Sequence, residues 1–172
     1  VWYFALRVKR SPFSCLRKGR NLSKLILFLA TGSYLGYLPI VPGTFGALWG
    51  LPLAWGLSAV SPWAALFVLL GVIIVSVRVS EKAQELLNAH DPHAIVIDEI
   101  AGMAVALWGL EWSLKTVVIG FILFRLVDII KPPPIRQIDS TISGGLGVVL
   151  DDVAAGVLVN LILRLLILLK LF

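Results

Sequence analysis

The sequence predicts an all-α polytopic membrane bundle with about five apolar helices and a re-entrant or interfacial helix near the N-terminus. Three observations carry this. The 172 residues are 59% hydrophobic and 15% charged, with a mean hydropathy of +0.95, outside the range of ordinary soluble domains. Apolar runs of crossing length alternate with short turns. The charged residues recur at one level of the folded-up chain instead of spreading along it.

Residues 1–24 read as a basic cytoplasmic arm. Arg7, Lys9, Arg10, Arg17, Lys18, Arg20 and Lys24 fall there, with no acid among them, as suits an anionic lipid surface on the inner side. The membrane accounts for this charge, so nucleic acid is not expected as a partner. The lone cysteine, Cys15, allows no internal disulfide and no thiolate metal site. A C-x5-R phosphatase loop fails there, because Asn21 stands where the arginine belongs.

Residues 25–172 read as a single membrane-embedded domain. The apolar run in 22–39 covers about half of the roughly 20 residues a crossing needs, which suggests an interfacial or re-entrant helix. Pro42, Gly43 and Gly46 make an irregular entry around Thr44, and the rest of 41–60 is apolar enough to cross despite Pro52. Ser61 and Pro62 turn the chain into a second apolar helix, 63–79, followed by a polar, helix-prone stretch over 78–94. The third run, 94–110, carries Asp98 and Glu99 near its start. Glu111, Trp112 and Ser113 form a turn, and a fourth helix runs from Leu114 to about 130. It ends on a polar seam, where Arg125, Asp128 and Lys131 share a helix face and Pro132 stops the helix. A Gly-rich loop at Gly144, Gly145 and Gly147 then leads to Asp151 and Asp152, which head the last apolar helix.

Crossings at 44–60, 63–79, 95–110, 114–130 and 152–170 put loops 78–94 and 131–150 on the cytoplasmic side. Thr44, the 90–93 cluster, Asp98 with Glu99, Asp128 with Lys131, and Asp151 with Asp152 then share one layer. Burying several carboxylates separately near lipid is costly, so they are expected to meet. Lys170 falls on the outer side, and Arg164 must snorkel or find a partner.

Carboxylates at 98, 99, 128, 151 and 152 cannot all stay ionised together without a cation. Oxygen ligands without thiolates favour Mg2+ or Mn2+ over zinc. Arg125, Lys131 and Arg136 complement phosphate oxygens. Together they suggest phosphoryl chemistry on a lipid headgroup. The reading from another class is a small cation or proton carrier, which would need polar groups at several depths. Thr44 is either a cap or a site residue, and Gly144 with Gly145 either a loose turn or a phosphate cradle. His90, Asp91 and His93 read as a polar loop more than as a ligand set.

Four blocks, GYLPIVPGTFGALWGLPL (36–53), HDPHAIVIDEIAGM (90–103), FRLVDIIKPPPIRQID (124–139) and GGLGVVLDDVAAG (144–156), resemble the phosphatidylglycerophosphatase A family, in the expected order. The resemblance implies a Mg2+-dependent lipid phosphatase of the bacterial inner membrane, all-helical, with its active site at the cytoplasmic face. Its phospholipid substrate would be phosphatidylglycerophosphate, hydrolysed to phosphatidylglycerol; the carboxylates and basic residues suit attack on phosphorus by metal-activated water, with a phosphoaspartate intermediate as the other route. Carried onto this chain, catalytic positions look like Asp98, Glu99 and Asp128, and metal ligands these three with Asp151 and Asp152. Phosphate binding would fall to Lys131, Arg125, Arg136, Thr44, Gly144 and Gly145. The basic arm has no counterpart in this picture.

Overall fold

The computed structural model describes residues 20–89 and 92–171. Most of the basic arm, with Cys15, and the pair His90 and Asp91 lie outside them. Among the described residues every regular element is helical: α1 (Arg20–Ala30), a 3-10 turn (Leu35–Tyr37), α2 (Pro42–Ser58), α3 (Pro62–Leu87), α4 (Ile97–Leu107), α5 (Leu114–Ile130), α6 (Ile135–Thr141) and α7 (Gly144–Leu168).

Local chemistry sets the boundaries. Pro42 and Pro62 sit in the first turns of α2 and α3, where a missing N–H costs nothing. Ser61 and Ser113 cap α3 and α5 by accepting from the N–H groups of Ala64 and Thr116. Asn88 closes α3 in the left-handed region at φ 49°. α5 stops at Ile130, just before the three prolines, as the sequence predicts, with Lys131 left-handed at φ 45°.

Length and composition make α3 (26 residues) and α7 (25 residues) fit to cross a membrane. These are two of the five crossings expected. α2 and α5, with 17 residues each, rise about 25 Å at ~1.5 Å per residue, and the 11-residue α4 rises about 16 Å. Most of α4 is buried between α2, α3, α5 and α7. The core gathers around it: Met103, Ala106, Phe124, Ala155 and Val159 are fully buried together. The outer faces of the long helices are apolar as well, with Trp55, Trp63, Phe67, Ile74, Ile122 and Leu168 all exposed. Helices that are apolar all round suit a non-aqueous surrounding.

The stretch read as helix-prone is helical, and two other elements differ from expectation. The polar stretch after residue 78 continues α3 without a break as far as Leu87. The Gly-rich segment expected as a loop is the first turn of α7. Its glycines serve contact: a Cβ on Gly145 would lie 2.5 Å from the Val77 carbonyl oxygen and the Glu81 amide nitrogen of α3. A short helix, α6, forms directly after the prolines, with Ile135 buried.

Candidate functional site

α4 and α7 cross at glycines. A Cβ on Gly156 would meet the Gly102 carbonyl oxygen, and one on Gly102 would lie 2.7 Å from the Asp152 carbonyl oxygen and from Phe124. Small residues let helix backbones approach this closely. One turn before each glycine stand Asp98 with Glu99 on α4 and Asp152 on α7, so the crossing brings these carboxylates together. Each offers an oxygen within 4.8 Å of the other two.

Around this trio lies a cavity of about 260 Å³, lined by Val41, Pro42, Gly43, His93, Ile95, Asp98, Glu99, Arg125, Asp128, Lys131, Asp139, Val148, Asp151 and Asp152. Its chemistry is lopsided, since among the described residues six carboxylates line it with two cationic side chains, Arg125 and Lys131. Arg125 pairs with Asp128 at 2.6 Å. Lys131 bridges Asp151 at 2.6 Å and Asp139 at 2.8 Å. Burial works against the Lys131 ammonium, but its hydrogen bonds to Asp139 and Asp151 outweigh burial and raise its pKa above the ordinary lysine value. Lys131 therefore stays charged.

The trio is not neutralised in this way. Asp98 and Asp152 are buried. Asp98 Oδ1 and Glu99 Oε2 are enclosed without a hydrogen-bond partner, and so is Arg125 Nε. Buried polar atoms are ordinarily satisfied, and orphaned carboxylate oxygens converging on one point fit a hard cation, which takes oxygen ligands. The cluster could hold a metal ion. Strain gathers here too: Val41 and Lys131, neither a glycine, both adopt left-handed φ of 45° at the cavity edge.

The structure thus brings together Asp98, Glu99, Arg125, Asp128, Lys131, Asp151 and Asp152 from the sequence expectation. It does not bring four others. Thr44 stands in the first turn of α2 and Gly144 with Gly145 open α7, none of them lining the cavity. Arg136 is exposed on α6 and also lies outside it. Of the expected 90–93 cluster, His93 lines the cavity.

Two residues escaped the sequence reading. Asp139 pairs with Lys131 across eight residues, from the short helix α6 that follows the prolines. Gly43 is buried, and a Cβ there would strike Glu99 Oε1 and come within 3.1 Å of both terminal nitrogens of Arg125. The signal was the unusual density of glycine in PGTFG, read as an irregular entry when it marks close approach.

The family model described as Phosphatidylglycerophosphatase A matches residues 28–167. A phosphatidylglycerophosphatase A of Escherichia coli is 40% identical over 135 residues, 76% of each chain. One from Haemophilus influenzae is 33% identical, covering 80% of this chain and 85% of its own. A Bacteroides thetaiotaomicron protein provisionally named a phosphatidylinositol-3-phosphatase is 32% identical, covering 78% of this chain and 89% of its own. No solved structure matches. With the match spanning most of its length, the chain belongs to the phosphatidylglycerophosphatase A family.

Proposed function

We propose that the chain hydrolyses the terminal phosphomonoester of phosphatidylglycerophosphate, releasing phosphatidylglycerol and inorganic phosphate in phospholipid synthesis, at the cavity between α2, α4, α5 and α7. Family membership supports the lipid phosphatase activity. The observation that carries the site is the pair of enclosed, unpartnered carboxylate oxygens on Asp98 and Glu99 beside two cationic side chains.

In this reading Asp98, Glu99 and Asp152 would hold Mg2+, with Asp128 and Asp151 completing the acidic surround. A hard divalent ion there supplies positive charge against phosphoryl oxygens and acidity to water. The chain's own groups do the rest. Arg125 and Lys131 face the phosphate oxygens and orient the phosphorus. A carboxylate among Asp98, Glu99 and Asp128 takes a proton from the attacking water. As the P–O bond to glycerol breaks, that carboxylate returns the proton to the departing oxygen, and the lipid alcohol leaves toward the membrane. Arg125 and Lys131 are held by Asp128, and by Asp139 and Asp151, so little ordering is left for substrate binding to do.

A place in a bacterial inner membrane, with α3 and α7 long enough to cross and the cavity at the cytoplasmic face, fits this reading. The cavity is built from the starts of α2, α4 and α7 and the end of α5, all ends that lie on one side if the helices alternate in direction. A single domain over 25–172 is part of this reading. A cation carrier gains no support: between the cavity and the next buried polar group of α7, Asn160, stand the fully buried apolar Met103, Phe124, Ala155 and Val159.

The test is phosphate release from phosphatidylglycerophosphate by the purified chain in detergent. Release with Mg2+ and none with EDTA is expected. Full release with EDTA present removes the metal from the mechanism, and no release under any condition removes the activity.

A further inference from the structure

At the far end of α4 from the acidic cavity lies a second polar space, of about 590 Å³, between the end of α4, the start of α5 and the last turns of α7. Arg164 and Lys115 line it together with one carboxylate among the described residues, Glu111, while Leu110, Ile167 and Leu168 supply an apolar wall.

Arg164 is fixed on one side. Its Nε donates to Asn160 Oδ1 at 2.7 Å, and one terminal nitrogen donates to the Trp108 carbonyl oxygen at 3.0 Å. Both acceptors are neutral, so these bonds orient the guanidinium without cancelling its charge. Among the described residues neither Arg164 nor Lys115 stands in an ion pair, and both are exposed. The lining keeps one net positive charge.

Depth selects the anion that answers it. Arg164 lies twelve residues beyond Asp152 on α7, a rise of about 18 Å at ~1.5 Å per residue, against a hydrocarbon thickness of roughly 30 Å. With the acidic cavity at one face of the bilayer, this guanidinium stands within the membrane, toward the other face. A cation at that depth reaches outward and draws lipid phosphate inward, thinning the bilayer locally. An arginine fork with a lysine beside it suits phosphate oxygens. One turn further into the membrane α5 exposes Val118 and α7 exposes Leu161, apolar surface for the acyl chains of the same lipid.

We infer that this cavity holds a glycerophospholipid of one net negative charge in the leaflet opposite the acidic cavity, its phosphodiester on Arg164 and Lys115 and its headgroup uncharged. Such a lipid cancels the charge of the lining, whereas a zwitterionic one leaves it standing. Arg164 is tied to Asn160, whose Nδ2 donates to carbonyls at the end of α4, so the bound lipid braces the bundle at that end. The inference rests on the membrane placement in the proposed function and is independent of its catalysis.

The delipidated full chain in neutral detergent is titrated with dioleoyl phosphatidylglycerol, and bound lipid is counted by native mass spectrometry. Dioleoyl phosphatidylcholine is the zwitterionic probe and inorganic phosphate the soluble one. EDTA is present throughout, so that no metal recruits the anionic lipid to the acidic cavity. Wild type should hold one phosphatidylglycerol about tenfold more tightly than phosphatidylcholine, Lys115→Glu should lose about tenfold in affinity, and Glu111→Gln should gain severalfold. Arg136→Ala, which removes a cation elsewhere, should bind as wild type does. Phosphatidylglycerol should raise the unfolding midpoint of wild type and Arg136→Ala and leave that of Lys115→Glu unchanged. Arg164→Gln also breaks the bonds to Asn160 and Trp108, so the variants at the exposed Lys115 and Glu111 decide. Equal binding of the two lipids by wild type, or an unchanged affinity in Lys115→Glu, overturns the inference. Displacement of the lipid by excess inorganic phosphate does so too, since the site would then serve a soluble anion. Binding and unfolding are the only readouts, so the result stands apart from the catalytic proposal.

Discussion

Two buried polar knots sit at opposite ends of the bundle. At the end of α4, Asn160 of α7 donates from Nδ2 to the carbonyl oxygens of Val105, Ala106 and Trp108 at 3.3, 3.0 and 2.9 Å. Arg164 donates from Nε to Asn160 Oδ1 at 2.7 Å and from a terminal nitrogen to the Trp108 oxygen at 3.0 Å. A helix leaves its last carbonyls without partners, and here a neighbouring helix supplies them. At the start of the same helix, Asp98 and Glu99 are enclosed with oxygens unmet. One knot closes its hydrogen bonds within the protein; the other keeps them open. The first kind holds a fold together. The second is held in place by the fold and is available to a ligand.

This contrast predicts opposite signs for substitutions at the two ends. Neutralising the open knot should cost activity and spare stability. Asp98→Asn and Asp128→Asn are each expected to lower kcat at least about 100-fold; the thermal unfolding midpoint stays or rises by a few degrees in Asp98→Asn, as like charges are relieved, and falls in Asp128→Asn, which strips Arg125 of its partner. Full activity in both variants would end the assignment of the site.

The same crowding of carboxylates should make the open knot responsive to metal. Mg2+ is expected to raise the unfolding midpoint of the wild type in proportion to the logarithm of its excess over Kd, and EDTA to reverse the rise. In Asp152→Asn the rise should be absent. An identical Mg2+ response in that variant would place the ion elsewhere. Gly43→Ala perturbs the same region by bulk alone, since the added methyl strikes Glu99 and Arg125. About a tenfold loss of kcat with little change in substrate KM is expected, small displacements at a reacting centre being costly.

At the closed knot, Asn160→Leu should do the reverse. It strips partners from carbonyls of Val105, Ala106 and Trp108 and from Arg164, a loss of about 1–3 kcal/mol for buried groups left unsatisfied, read as a lower midpoint. Below the transition, kcat should remain within about twofold. A large loss of kcat in a folded Asn160→Leu would blur the distinction between the knots.

The sequence made one end far more legible than the other. Charges interrupting apolar runs singled out Asp98, Glu99, Asp128, Lys131, Asp151 and Asp152, each expensive where it stands, and all six line one cavity. The seam before Pro132 follows from proline's missing N–H and its effect on the residue before it. Glycine was harder, because the same residue marks a loop, a strained turn or a close approach. Gly144, Gly145 and Gly147 suggested a loop and begin a helix, while Gly43, beside Thr44, holds the contact. Asp139 depended on a helix restarting after three prolines, which local propensity argues against and the burial of Ile135 explains. The number of crossings was the least legible feature. Hydropathy counts apolar runs without saying that α4 ends after 11 residues, capped from α7.

Arg136 marks the boundary between the site and its surroundings. Its place beside the prolines in PPPIRQID, three residues before Asp139, suggested a phosphate ligand, and three residues apart on α6 the two should share a helix face. Yet Asp139 lines the cavity and Arg136 is exposed outside it. An exposed arginine beyond the cavity, in water and salt, contributes little to a phosphate held there. Arg136→Ala is therefore expected to leave kcat and KM within about twofold, with a midpoint unchanged within error, and Asp139→Asn, which loosens Lys131, to raise KM severalfold. If Arg136→Ala raised KM tenfold and Asp139→Asn left it alone, α6 would have to turn its other face to the substrate, and the cavity would extend past the edge described by Lys131 and Asp139.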